Sequence, residues 1–323
     1  MQTSGSSTGL PWLAGLEAEL GAQAASGQLA HALLIYGERG VGRRRLAAWL
    51  AQRILGSDRP VWLAESAPDN TLHPDLHPAV PEEGKSLPVE RIRELIDFML
   101  MSAYSGGARV AAICPAESMR RPAANSLLKI LEEPRPDSYL LLVAENTQPL
   151  PATIISRCRL VRIPAVSRDE AMNWLAKQAQ SVDWDNAMRL AGGGPLWAQE
   201  LHAHKMDERA KAMAAQLGSL EKRRATPTEV AGAWKDIPMR FWCDFLFRCA
   251  YRRVHDWMLM ENSAHTRRFS RLPVRARQEM IRRSFVHLDA IMECRRAEGF
   301  SANAELAAAV LLQSWFGGFC ART

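Results

Sequence analysis

A short apolar run, Ala32-Leu-Leu-Ile-Tyr36, leads straight into Gly37, Gly40 and Gly42, after which Leu46, Trp49, Leu50 and Ile54 recur at helical spacing. Strand, glycine turn and amphipathic helix make the first half of a βαβ unit, which commits a chain to a parallel sheet flanked by helices. The pattern continues downstream. Ile92, Leu95, Ile96, Met99 and Leu100 mark a helix from Val89, entered through Pro88, and Arg109 to Cys114 reads as a second buried strand. Ala123, Leu127, Leu128 and Leu131 mark a helix stopped by Pro134, followed by strands at Tyr139 to Ala144 and Leu160 to Ile163. Pro60 to Pro81, rich in Pro, Asp and His, reads as irregular connection with room for one short strand near Val61 to Ala64.

After Pro164 the alternation ends. Segments 168–180, 183–191 and 195–204 read as helices broken by Gly192, Gly193, Gly194 and Pro195, and the rest of the chain is helical. Its apolar stripes are Trp242, Phe245, Leu246 and Cys249, then Phe285, Leu288, Ile291 and Met292, then Leu306, Val310 and Leu311. Such stripes pack a core more often than they hold a cofactor.

Composition sets the outer limits. With 323 residues, 47% hydrophobic and 24% charged, the chain is globular and long enough for two or three domains. Cys114, Cys158, Cys243, Cys249, Cys294 and Cys320 form no C-x-x-C pair, so neither a zinc ribbon nor a redox motif is written, and a reduced, cytoplasmic setting is expected. The first twenty residues show no signal-peptide pattern and no apolar run reaches a bilayer span, so no membrane anchor is expected. The net charge of +6 is uneven: residues 1–200 carry 20 Lys/Arg against 22 Asp/Glu, residues 201–323 carry 21 against 13. A basic C-terminal segment suits subunit contact first and nucleic acid second.

Gly37 to Arg44 (GERGVGRR) has the frame of a phosphate-binding loop, G-x-x-x-x-G-K-[ST], between strand and helix. Its functional ends differ. Arg43 keeps the charge of the Lys without its compact geometry, and Arg44 cannot ligate Mg²⁺ as a Ser or Thr hydroxyl does. At the end of the second strand, where P-loop ATPases carry an Asp for Mg²⁺ and a Glu for water, stand Cys114 and Pro115, and Mg²⁺ demands oxygen ligands. Glu117, two residues on, is expected as a solvated turn residue rather than a substitute. Cys114 and Cys158 are expected as packing groups rather than nucleophiles. His73 and His77 with Asp75 could in principle ligate a metal, but none is expected there, since Pro74 and Pro78 oppose a helical display.

Several motifs also carry a family resemblance. Asn125-Ser-Leu-Leu-Lys-Ile-Leu-Glu-Glu-Pro134 resembles the N-x-L-L-K-x-L-E-E-P helix of bacterial clamp loaders, and Ser156-Arg157-Cys158 their S-R-C motif. Leu10-Pro-Trp-Leu, His31-Ala-Leu-Leu, His73-Pro-Asp and Gly193-Gly-Pro195 match in order through the first 200 residues, and Asn303-Ala-Glu-Leu-Ala matches near the end. Within that family the choice lies between the ATP-hydrolysing subunit and the non-hydrolysing delta-prime type. Glu145 and Leu196 stand where the former would present a polar sensor and a second-sensor arginine, so with the altered loop and strand end the resemblance favours the latter.

The resemblance implies an AAA+-type P-loop domain over residues 1–165, a helical lid over 166–207 and an all-α collar domain over 208–323. It implies a subunit with no hydrolysis of its own that assists ATP-driven loading of a sliding clamp onto primed DNA in chromosome replication. Arg157 would act in trans as an arginine finger in a neighbouring ATP site; the alternative is a surface arginine paired with a local carboxylate. Implied partners are the delta and gamma/tau subunits, the clamp more weakly, and primer-template DNA. ATP and Mg²⁺ would be held by partner subunits, and the zinc module many relatives carry after the P-loop helix is not expected, because residues 56–72 contain no cysteine. The competing readings are a weakly active clamp-loader ATPase and a stand-alone nucleic-acid-binding protein using its basic C-terminal helices.

Overall fold

The computed structural model describes residues 7–58, 61, 73–82, 85–179, 182–192, 194–259, 264–296 and 303–319. Gly193, Cys320 and most of the segment near Val61 to Ala64 therefore lie outside the described residues. The chain divides into two compact units, Met1–His204 and Lys205–Thr323.

Among the described residues, the first unit is built on five parallel strands. Helix α1 (Ala14–Ala25) precedes β1 (Ala32–Tyr36), and α2 (Arg43–Leu55), β2 (Leu76–Ala79), α3 (Val89–Leu100) and β3 (Arg109–Ile113) follow. Two short helices, α4 (Arg121–Ser126) and α5 (Leu128–Glu132), lead to β4 (Ser138–Ala144), α6 (Ala152–Ile155) and β5 (Arg159–Arg162). Three helices close the unit: α7 (Arg168–Gln178), α8 (Trp184–Ala191) and α9 (Pro195–Ala203). The strand order is β2-β3-β4-β1-β5, every neighbouring pair parallel.

The strands are apolar throughout because both faces of the sheet are covered. Leu33 and Ile35 of β1 join Val110, Ala112, Leu141 and Val143 in a core with α1 and α2, which also takes in Trp174, Leu175 and Trp184 from α7 and α8. Ala32 and Leu34 join Ala111, Ile113, Leu140 and Leu142 in a second core with α3, α4 and α5. The period of two thus sorts one strand between two cores.

Two elements differ from the sequence reading. Strand β2 forms inside the stretch read as irregular connection, with Pro78 opposite Ala112. It is an edge strand paired only to β3, and an edge tolerates a residue that cannot donate from its outer side. The single helix expected across Ala123 to Leu131 is interrupted at Leu127.

The second unit is all helical: α10 (Met206–Glu221), α11 (Pro227–Ala233), α12 (Met239–Met258), α13 (Ala264–Ser270), α14 (Val274–Arg296) and α15 (Ala304–Phe319). Helix α11 begins with a full capping box, Thr226 with Glu229, and Pro227 at its first position. Trp234, Trp242 and Trp315 are fully buried. Phe285, Leu306 and Val310, read as core positions, are instead 48%, 63% and 59% exposed. In α15 the buried face runs through Ala308, Leu311, Leu312, Trp315 and Phe319, which keeps Leu311 of the expected stripe and leaves out Leu306 and Val310.

His287 of α14 is fully buried, its Nδ1 3.0 Å from Ser314 Oγ and its ring edge-on to Trp315 and Phe319. Burial pushes its imidazole down to about 4. The folded imidazole stays neutral while the unfolded one, titrating near its ordinary 6.5, takes up a proton as pH falls. Stability is therefore whole above pH 6.5 and falls by about 3 kcal/mol by pH 4, with the loss complete below the folded value. His287→Gln is expected to lower Tm at pH 7 and to flatten its further fall between pH 6.5 and 4. Parallel Tm-against-pH curves for the two proteins would show that His287 does not set the acid limb.

Candidate functional site

The glycine loop joins β1 to α2 as its sequence frame requires. Gly42, at the N-cap of α2, has φ of +99°, a left-handed conformation that a side chain disfavours. The loop also meets its own chain, through two of its main-chain carbonyls. Leu196 N–H donates to the Gly40 carbonyl at 3.0 Å, and Trp12 Nε1–H donates to the Val41 carbonyl at 2.8 Å. The Arg39 guanidinium lies 3.3 Å from the centre of the Trp197 ring, a stacked cation–π contact. Backbones touch as well: a Cβ on Gly194 would fall 1.8 Å from the Arg39 carbonyl oxygen, and one on Gly40 would fall 2.6 Å from Trp197 N. The first turn of α9 is thus seated on the loop.

Behind the loop the charges are internally matched. Arg43 Nη2 is 3.5 Å from Glu145 Oε1, both side chains mostly buried. Burial lowers the guanidinium affinity for its proton, and Glu145 and then Glu117 oppose that effect. Arg44 Nε donates to Cys114 Sγ at 3.1 Å, and burial pushes the Cys114 thiol up, so it stays protonated. Glu117 is not the solvated turn residue expected. It lies in a single helical turn, Ala116–Ser118, accepts the Glu145 N–H at 2.8 Å through Oε1, and leaves Oε2 buried without a partner among the described residues. Burial raises its carboxyl above the usual range. The sequence placed Glu117 in a turn correctly and missed that β4 folds over it.

These residues are a poor fit for a Mg²⁺ ion. The site offers two arginines, a protonated thiol and two carboxylates, Glu145 paired to Arg43 and Glu117 bonded through one oxygen to the Glu145 N–H, where the metal needs several free oxygens in octahedral geometry. Asp75 is similarly committed: buried, it accepts the Tyr104 and Ser105 N–H groups at 2.6 and 2.9 Å, with Arg109 Nε 3.6 Å away. His77 packs against Phe98, and no group of three or more metal-ligating side chains occurs among the described residues.

Arg157 stands apart from that cluster, just after α6. Its Nη2 is 2.6 Å from Glu132 Oε1, and its Nη1 donates to the Thr153 carbonyl at 3.1 Å and to Ser156 Oγ at 3.4 Å. The carboxylate pairing weighed against a finger role is therefore present. The side chain is still 36% exposed. Cys158 is buried with its thiol pushed up to about 11, a packing group rather than a nucleophile. Trp12, Arg39, Trp197 and Glu132 are contributors the sequence reading did not single out. The Trp beside Pro11 and the Trp two residues after Pro195 were the available signals.

A parallel P-loop sheet whose glycine loop is capped by its own helical segment, with an Arg–Glu pair behind it, defines a degenerate P-loop NTPase-type domain. Residues 14–167 match the family model described as DNA polymerase III, delta subunit. DNA polymerase III subunit delta' of Pseudomonas aeruginosa is 33% identical over 261 residues, covering 76% of this chain and 79% of that one. Its counterpart from Haemophilus influenzae is 31% identical over 222 residues, covering 67% and 68%. Among solved structures, a DNA polymerase III gamma subunit-related protein of Thermotoga maritima aligns over 91% of this chain and 97% of that one at TM-score 0.47 and 19% identity; the assignment rests on the sequence relatives. The chain belongs to the DNA polymerase III delta-prime subunit family.

Proposed function

We propose that the chain is the non-hydrolysing arm of a cytoplasmic clamp loader, assembling with delta and gamma/tau subunits that bind ATP and Mg²⁺ and together place a sliding clamp on primed DNA. The observation that carries this reading is the loop engaged by α9, with Arg43 paired to Glu145 where a motor subunit would hold phosphate. In keeping with the earlier expectation, residues 1–165, 166–207 and 208–323 would serve as P-loop domain, lid and collar. No helix among the described residues is long and apolar enough to cross a membrane.

Arg157 would enter the ATP site of a neighbouring subunit. Guanidinium is planar, permanently charged and able to bond two phosphate oxygens at once, which suits it to the charge that develops on a γ-phosphoryl group. Ser156 and Cys158 would fix the turn that carries it, one by a hydroxyl contact and the other by packing.

The loop is tested with a fluorescent ATP analogue and Mg²⁺. Neither the native chain nor the Arg43→Lys/Arg44→Thr double variant is expected to show saturable binding, because restoring the two side chains leaves α9 on the loop. Saturable binding or turnover by the isolated native chain would favour the weak-ATPase reading instead.

A further inference from the structure

We propose that Glu132 is the positioning residue for Arg157, an inference that rests on the finger reading of Arg157. The two sequence motifs, Asn125 to Pro134 and Ser156 to Cys158, are joined in space by the Glu132–Arg157 contact, at 2.6 Å the shortest that Arg157 makes. Three anchors from two segments triangulate the guanidinium: Glu132 from the end of α5, and the Thr153 carbonyl and Ser156 hydroxyl from the α6 turn. Arginine is long and rotamer-rich, so a finger that must meet a phosphoryl group in one geometry gains from being held there beforehand.

The anchors do not use every donor of the group. They use Nη1 and Nη2, while Nε makes no hydrogen bond or ion pair among the described residues, and the side chain remains 36% exposed. The guanidinium thus keeps its Nε–H for an incoming acceptor while three bonds hold its terminal nitrogens.

The placement of Glu132 is not explained by its own helix. Glu132 and Glu133 stand at the C-terminal end of α5, where the helix dipole disfavours carboxylates. Glu133 has no side-chain polar partner among the described residues, whereas Glu132 has Arg157. The carboxylate sits in a poor place for the helix and a good one for the arginine.

The test is steady-state ATP hydrolysis by the full complex reconstituted with its motor and delta subunits, primed DNA and clamp, with kcat and the KM for ATP separated. Glu132→Ala is expected to lower kcat about three- to fivefold with KM unchanged, the range open to a pair this exposed. Glu132→Gln, which keeps an acceptor for the guanidinium, is expected to recover most of the loss. Added to Arg157→Ala, Glu132→Ala is expected to cost nothing further.

A kcat unchanged or raised in Glu132→Ala, an equal loss in both Glu132 variants, or a further loss in the Arg157→Ala background would each overturn the positioning role. If Arg157→Ala is slow while Glu132→Ala matches the native complex, the finger stands and the positioning role fails. If Arg157→Ala itself matches the native complex, both fail.

Discussion

Arg157→Ala is expected to leave folding and assembly intact and to suppress turnover at the ATP site that receives the side chain by about 10³-fold or more, the scale on which such fingers act. Sites that do not receive it set the floor of the total rate. Three local bonds hold the arginine at a partly exposed position, none of them to the sheet core, so its truncation leaves the packing of β5 and α6 undisturbed. The measurement is DNA-stimulated hydrolysis by the reconstituted complex, beside co-elution of the subunits. Normal co-elution with unchanged hydrolysis would leave Arg157 as a surface residue paired to Glu132 and nothing more.

The second large effect is expected at Gly194. A methyl group there has to occupy space 1.8 Å from a main-chain oxygen, that of Arg39, and 2.7 Å from Gly40 Cα. Main chain cannot swing away as a flexible side chain does, so α9 must lift from the loop, breaking the Leu196 to Gly40 hydrogen bond and the Arg39–Trp197 stack. Gly194→Ala is expected to cost about 3 kcal/mol or more and to lower Tm by several degrees, with a change in tryptophan fluorescence. Gly218→Ala is the control. It lies in α10 with open space around its missing Cβ, and the substitution there is expected to be neutral or stabilising by up to about 1 kcal/mol. Equal Tm for Gly194→Ala and the native protein would mean that α9 does not press on the loop.

Much of the first unit was legible because a sheet covered on both faces writes itself as uninterrupted apolar runs. The segments Ala32 to Tyr36 and Tyr139 to Ala144 could hardly be anything else. Strand β2 was hidden because Leu76-His-Pro-Ala79 has neither length nor alternation, and it is a strand only because β3 offers it an edge. Glu117 was misjudged for a related reason: its burial comes from β4, nearly thirty residues away, and its hydrogen bond is to the Glu145 backbone. In α15, periodicity identified the helix, yet its apolar residues surround the axis so fully that the buried face could not be chosen without α11 and α14. The altered ends of the loop were plain from residue identity. That Leu196 and Trp197 cover it was not, because contact between segments about 155 residues apart leaves no local pattern.

A tethered contact differs from a diffusing ligand in a way that matters for the role proposed above. The first turn of α9 cannot be diluted, hydrolysed or exchanged, and its effective concentration at the loop is set by the chain itself rather than by the cell. In the proposed role the contact that shapes the loop is always present, so the conformation of this domain is not expected to follow the ratio of ATP to ADP. On that same proposal, a change in nucleotide supply would alter the nucleotide-binding partners and leave this loop as it is.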